Sequence, residues 1–317
     1  MNDSMKRWIV PLLAGAAALA MTTGIAQAQQ KKTIALVTNV AADFWTIAGR
    51  GLEKAQKEHP EYNIELIVTN EGTAAGQRRE LDDLLVRGVA GISISVDDAP
   101  HATEELNKVA AKTVLITTDS DAPQSNRLAY IGTDNKEFGT ALGKQLLKLR
   151  PDGGKYAMIS GGPGAENLAE RVDGVREALK GSKWIEVGGS PTFCNDDPAL
   201  GVQQMTDLRT ATPDLAAIIP VGGWPMFAPE GFKAFASKSK KDIDAGKFTL
   251  VAADTLKMQL ELLSEGYANA LIGQRPFEMG VKSMDTLLAI KKGQKVPEII
   301  HTGLDVVTKD NVSAMLK

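Results

Sequence analysis

The sequence predicts an α/β protein of two similar lobes, each a parallel sheet flanked by helices, with a ligand cleft between them. Three observations lead there. Apolar strand-like runs alternate with helix-like stripes along almost the whole chain after residue 30. The runs are near-continuously apolar rather than alternating, which marks strands covered on both faces. And "TVLITTD" and "FTLVAAD" end on Asp119 and Asp254, the same pattern at a similar place in each half.

The first 28 residues stand apart. Lys6 and Arg7 precede an apolar run, and Ala26-Gln27-Ala28 follows as a small-x-small cleavage site, the pattern of a secretory signal peptide. The uninterrupted apolar core from Trp8 to Met21 is about 14 residues, short of the roughly 20 that span a bilayer. Cleavage after Ala28 leaves enough chain for two domains of ordinary size. The expected compartment is a bacterial periplasm.

Strand-like runs then follow in order. "TIALVT" (33–38), "NIELIVT" (63–69), "AGISISV" (90–96), "TVLITT" (113–118) and "LAYIG" (128–132) form one series. "KYAMIS" (155–160), "WIEVGG" (184–189), "LAAIIP" (215–220), "FTLVAA" (248–253) and "ANALIG" (268–273) form a second. Between them Trp45, Ala48, Leu52 and Ala55 recur at helical spacing, as do Leu168, Val172, Val175 and Leu179. Phe138, Ala141, Leu142, Leu146 and Leu149 also share one face. Ten strands could make one large sheet. The repeated strand-Asp ending, and the junction "IGTDN" (131–135) between the two series, favour two lobes instead.

Open α/β sheets bind ligands at the carboxyl ends of their strands. The first lobe offers Asp43-Phe44-Trp45, Glu71, Asp97-Asp98 and Asp119 there. The second offers "GGPGAENLAER", "FCNDD" (193–197) with Asn195 and Asp196, "GGWP" (222–225) with Trp224, and Asp254. Aromatics are only 5% of the chain, yet Phe44 and Trp45 are adjacent at a strand-to-helix junction. Two of the three tryptophans after residue 28, Trp45 and Trp224, fall in these turns, whereas Trp184 starts a strand and is read as packing.

Aromatic faces together with Asp, Asn, Arg and Gln suit a neutral polyhydroxylated ring. Sugar C–H faces lie flat on aromatic rings, and hydroxyls need both acceptors and donors. Asn167 and Arg171, four apart on one helix face, are placed to clamp adjacent hydroxyls. Blander readings make Trp45 a core residue, pair Arg171 with Glu170 or Asp173 on the surface, and turn Asp119 and Asp254 into helix N-caps.

Catalysis, metal and cofactor find little support. His59, His101 and His301 are scattered without metal-ligand spacing to the lone Cys194. Neither G-x-S-x-G nor G-x-x-x-x-G-K-[ST] occurs. The net charge of −3 without a basic block disfavours nucleic acid as a partner. A single cysteine excludes an intrachain disulfide, so burial must hold the fold.

With these residues in view, the chain resembles the ribose-type sugar-binding proteins of bacterial ABC transporters, of the type I periplasmic binding fold. The likeness is carried by "IALVTNVAADFWTIAGRGLEKA", "LLVRGVAGISISVDD", "LITTDSDA", "YIGTDNKEFGTALG", "AERVDGVREAL" and the "VAAD…LIGQRPFEMG" ending. It implies that Phe44 and Trp45 contact the ring and Asp119 binds hydroxyls. It further implies that Arg171 and Asp254 act from the second lobe and Gln274 reaches in from the hinge. It also implies crossovers near 133–135, 274–276 and 303–305, and so two interleaved Rossmann-like lobes, 31–133 plus 275–303 and 134–274 plus 304–317.

The chain departs from that pattern in three places. Ala41-Ala42-Asp43 stands where an Asn precedes the first aromatic pair, Ser120 replaces the second residue of an Asp-Arg pair, and Gly222 or Gly223 replaces an Asn. Unpartnered buried polar groups cost about 1–3 kcal/mol each, so a monosaccharide is expected, without commitment to ribose. The expected partners are that sugar, an inner-membrane ABC permease and, on a sensing reading, a chemoreceptor, with the protein a monomer. A repressor's ligand domain would carry a DNA-binding helix-turn-helix and no export signal. An exported sugar-processing enzyme would turn sugar over.

Overall fold

The structure, a computed structural model, describes residues 31–69 and 71–316. The expected signal peptide at 1–28 lies outside the described residues. The chain begins with β1 (Lys32–Val37), α1 (Asp43–Glu58), β2 (Tyr62–Ile67), α2 (Ala74–Val86), β3 (Gly91–Ile94), α3 (Ala99–Ala110), β4 (Val114–Thr118) and β5 (Tyr130–Gly132). Next come α4 (Asn135–Leu149), β6 (Gly154–Ser160), α5 (Glu166–Leu179), β7 (Trp184–Glu186), β8 (Thr192–Phe193), α6 (Pro198–Ala211) and β9 (Leu215–Pro220). Then follow α7 (Trp224–Phe227), α8 (Pro229–Asp244), β10 (Thr249–Ala253), α9 (Lys257–Ser264) and β11 (Ala270–Gly273). The last elements are α10 (Pro276–Lys291), β12 (Ile299–His301), β13 (Asp305–Thr308) and α11 (Val312–Met315).

All ten expected strands are present, and they fall into two sheets. The first runs β12-β5-β4-β3-β1-β2 and is parallel throughout. The second runs β13-β11-β10-β9-β6-β7, with β8 also on β6. Its one antiparallel member is β13, which pairs with β11. The chain therefore passes between sheets three times: after β5, after β11, and between β12 and β13. Three short strands, β8, β12 and β13, were not among the ten. Each has four residues or fewer, too few to show a period, and each forms against an edge that earlier strands supply.

Alternation across β1 divides the first lobe's core. Ile34 and Leu36 pack with Trp45, Ala48 and Leu52 of α1 and with Met284 and Leu287 of α10. Ala35 and Val37 face the other way, against Leu81 and Leu84 of α2 and Leu106 and Val109 of α3. Both faces are covered, which is why the strands read as unbroken apolar runs. Burial of each large side chain contributes about 1.5–3 kcal/mol. The second lobe has one continuous core, in which Phe138, Leu142 and Leu146 of α4 meet Leu168, Val172, Val175 and Leu179 of α5. Leu149 is the exception on the α4 stripe. It is 40% exposed, because it is the helix's last residue.

Helices α4 and α5 pack through facing glycines. A Cβ on Gly139 would collide with the Arg171 carbonyl oxygen, and one on Gly174 with the Lys136 carbonyl oxygen. The absence of side chains lets the two backbones touch, and that contact sets where Arg171 sits.

Candidate ligand-binding site

Asp119 and Asp254 come immediately after β4 and β10, at equivalent places in the two sheets. Both adopt left-handed backbone conformations, with φ of 62° and 72°. Outside glycine this region is tolerated best by Asp and Asn. In each case the backbone N–H continues the sheet, Asp119 donating to Ile131 O at 2.9 Å and Asp254 to Ile272 O at 2.6 Å. The strand's pairing is kept while the turn redirects the side chain over the strand end. Neither residue is a helix N-cap: α9 begins after Leu256, and no helix follows β4 directly.

The two carboxylates are held differently. Asp119 Oδ2 accepts from Ser95 Oγ at 2.8 Å, and Asp254 Oδ1 accepts from Gln274 Nε2 at 2.9 Å. Gln274, on the second passage between sheets, also accepts through Oε1 from Arg171 Nη2 at 2.7 Å and from Thr133 Oγ1 at 3.1 Å. Arg171 further donates through Nε to Asn135 Oδ1 and through Nη1 to Val221 O, both at 3.0 Å, and lies 4.4 Å over the Phe138 ring. It is 2% exposed and pairs with neither Glu170 nor Asp173. A buried guanidinium thus ties the first two passages between lobes to the second lobe's strand ends.

These groups face a cleft of about 90 Å³, lined from both lobes. At about 10–15 Å³ per water-sized position, that is room for some six to nine such positions, the scale of a monosaccharide ring. From the first lobe come Asn39, Val40, Ala42, Phe44, Trp45, Asp97 and Asp119. From the second come Gly162, Ala165, Asn167, Leu168, Arg171, Asp196, Gly222, Gly223, Trp224, Phe227 and Asp254, with Gln274 between. The lobes approach at one rim, where a Cβ on Gly164 would lie 3.1 Å from Asp98 Oδ1.

Each lobe contributes an anchored indole. Phe44 and Trp45 meet edge to face at 5.1 Å, and Trp45 Nε1 donates to Asn39 Oδ1 at 2.8 Å. Trp45 is both a core residue of the α1 stripe and a wall of the cleft. Trp224 folds back over its own loop, and any Cβ on Gly222 would strike its ring. Asp196 lies against it: a Cβ on Gly161 would strike both the Trp224 ring and Asp196 Oδ1. Trp184 packs away from the cleft, edge to face with Tyr156 at 6.2 Å.

Four carboxyls line the cleft, and all are pushed toward their protonated forms. Burial raises Asp97 to about 7, reinforced by the charges of Asp196 and Asp98. Burial raises Asp119 to about 6, opposed by Arg171 and the Ser95 bond. Asp254 is raised by burial against the pull of Arg171 and Gln274, and Asp196 by burial against the pull of Trp224. Among the described residues no group of three or more His, Cys, Asp or Glu side chains is placed to hold a metal ion.

The cleft brings together Phe44, Trp45, Asp119, Asn167, Arg171, Asp196, Trp224, Asp254 and Gln274 from the sequence-based set. Asp43 and Asn195 lie off it. Asp43 is exposed in the first turn of α1, where a carboxylate interacts with the helix N-terminus. Asn195 is exposed in a left-handed turn, φ 48°, that precedes Asp196. Asn39 and Phe227 were missed, and Asp97 was named at a strand end without being given a ligand role. Asp97 had the same post-strand signal as Asp119, and Phe227 lies one helical turn beyond Trp224. Asn39 shows its role only through the bond to Trp45.

The sequence profile described as periplasmic binding protein domain matches residues 34–295, and the chain belongs to that family. The ribose import binding protein RbsB of Escherichia coli (strain K12) is 27% identical over 301 residues, covering 94% of this chain and 97% of that protein. The D-allose-binding periplasmic protein of the same organism is 22% identical over 286 residues, covering 87% and 88%. A crystal structure of an ABC transporter solute binding protein from Burkholderia graminis, in complex with D-arabinose, superimposes with a TM-score of 0.79. It is 31% identical and covers 90% of this chain and 98% of that one. The two-lobed parallel-sheet fold is thus that of the type I periplasmic binding proteins.

Proposed function

We propose that the protein captures a monosaccharide in the periplasm and delivers it to an ABC-type sugar permease of the inner membrane. One observation carries this reading: aromatic walls and hydrogen-bonding side chains from both lobes line a single cleft of monosaccharide size. Relatives that bind ribose, allose and arabinose support the ligand class. Export through the 1–28 segment fits the compartment.

Lobes of 31–133 plus 275–303 and 134–274 plus 304–317 hinge about the three passages. A ligand shifts the open–closed balance only by its differential affinity for the closed state, so contacts from both lobes make closure ligand-dependent. Phe44, Trp45 and Trp224 stack the ring, and Asp119, Asp254, Asn167 and Arg171 take hydroxyls. Gln274 couples the hinge to the site. The closed form is what the permease receives.

Thermal denaturation of the chain without residues 1–28, across a panel of monosaccharides, tests the proposal, because a ligand that binds only the folded state raises Tm. The expected result is one small group of sugars that raises Tm and binds with micromolar or tighter affinity, about −8 kcal/mol. Stabilisation by amino acids and by no sugar would overturn it.

A further inference from the structure

The cleft has too many acceptors for a neutral sugar. Asp97, Asp119, Asp196 and Asp254 line it against a single guanidinium, Arg171. Apart from the Asn39 and Asn167 amides, the side-chain donors of the lining are largely engaged. Three of Arg171's N–H groups are committed to Asn135, Val221 and Gln274. Both ends of the Gln274 amide are engaged, with Asp254 on one side and with Arg171 and Thr133 on the other. Carboxylates only accept, whereas each sugar hydroxyl brings one proton and also needs donors.

The excess is sharpest between Asp97 and Asp196. Asp97 Oδ2 is shut off from solvent, and no group among the described residues donates to it. Asp97 follows β3 in the first lobe, and Asp196 follows β8 in the second, where it lies beside the Trp224 ring. Closing the lobes brings two like charges together, beside Asp98 and with Asp119 and Asp254 nearby. That repulsion opposes closure unless one carboxyl takes up a proton or a cation sits between them, and above pH 7 the cation is the remaining route.

We propose that the ligand of this cleft is a monosaccharide bearing a protonated amino group, and that Asp97 and Asp196 grip the ammonium from opposite lobes. This rests on the reading that the cleft takes a monosaccharide. An ammonium supplies three donors and the missing positive charge at one point. It turns the repulsive pair into the contact that closes the lobes, so the protein discriminates an amino sugar from its neutral counterpart by charge.

The test is isothermal titration of the chain without residues 1–28 against matched sets: glucose, glucosamine and N-acetylglucosamine, the galactose and mannose equivalents, and ribose and arabinose with their amino-deoxy forms. The expected result is that one amino sugar binds roughly ten- to hundredfold more tightly than its neutral and N-acetylated partners, the factor one charge-assisted hydrogen bond supplies. Asp97→Asn and Asp196→Asn should each cut that preference to about twofold while circular dichroism and Tm show an intact fold. Neutral sugars binding as tightly as every amino partner would overturn this inference and leave the monosaccharide reading standing. Binding of neither kind would overturn both, as would a divalent cation that stabilises the wild type and not Asp97→Asn while sugars do nothing.

Discussion

Asp97 should make the ligand-free protein lose stability as pH rises from 5 to 8. Its carboxyl is raised from 3.8 to about 7 by burial and by the neighbouring charges of Asp196 and Asp98. A carboxyl that holds its proton more tightly when folded stabilises the fold fully below the unfolded pKa. That stabilisation is lost as pH climbs through the folded pKa. With those two values the contribution falls by about 2–3 kcal/mol between pH 5 and pH 8. Asp97→Asn removes the titration but keeps size and polarity. Urea denaturation of both proteins over that range should therefore show the variant gaining about 2–3 kcal/mol on the wild type, with most of the change between about pH 5 and 7 and a levelling-off above the folded pKa. In thermal scans this is roughly 4–10 °C. Parallel pH profiles for the two proteins would refute the placement of Asp97 beside Asp196 in a buried cleft.

Further outcomes follow from the same geometry. Arg171→Met leaves Gln274 Oε1, Val221 O and Asn135 Oδ1 without their donor. It should cost about 3–5 kcal/mol in urea denaturation and push Asp119 and Asp254 further toward protonation. Trp224→Ala removes a wall of the cleft and the ring that packs beside Asp196. It should weaken sugar binding about ten- to hundredfold and reduce the ligand-induced fluorescence change to the part that Trp45 reports, whereas Trp184→Phe should leave affinity unaltered. Gly139→Ala drives a methyl into the Arg171 carbonyl. It should cost about 1–3 kcal/mol and also lower affinity, since the helix it displaces carries Arg171 and Asn167.

Much of the architecture was legible in the chain because two-sided burial writes itself into composition. Strands covered on both faces are apolar at most positions, so all ten expected strands showed as runs, and the α1, α4 and α5 stripes followed their helical period. The short strands β8, β12 and β13 did not, because a strand of two to four residues forms on an edge that already exists. The lobe interleaving was invisible to pattern reading for the same reason. It came only through resemblance, since nothing local at Gln274 or Gly303 tells the chain which sheet it joins next.

At the site, Asp119 and Asp254 were found by a repeat that survives in one dimension: the same residue closing the same kind of strand in each half. Asp43 and Asn195 sat equally close to strand ends, and helix geometry and a left-handed turn carried them outward. Asp97 had no sequence feature to set it above Asp98, its neighbour. Its role depends on Asp196 arriving from the other lobe, roughly a hundred residues further along, and on both being shielded from water.

By itself, then, the sequence determined the layers, the helix faces and the kinds of side chain available at the strand ends, because those are set by periodicity and by bonds to near neighbours. Only the tertiary structure decided which of those side chains share a cleft, that Arg171 commits three of its N–H groups to the hinge network, and that four carboxyls face that one guanidinium. Those are properties of distances between remote residues and of the solvent excluded between them, and neither exists until the two sheets face each other.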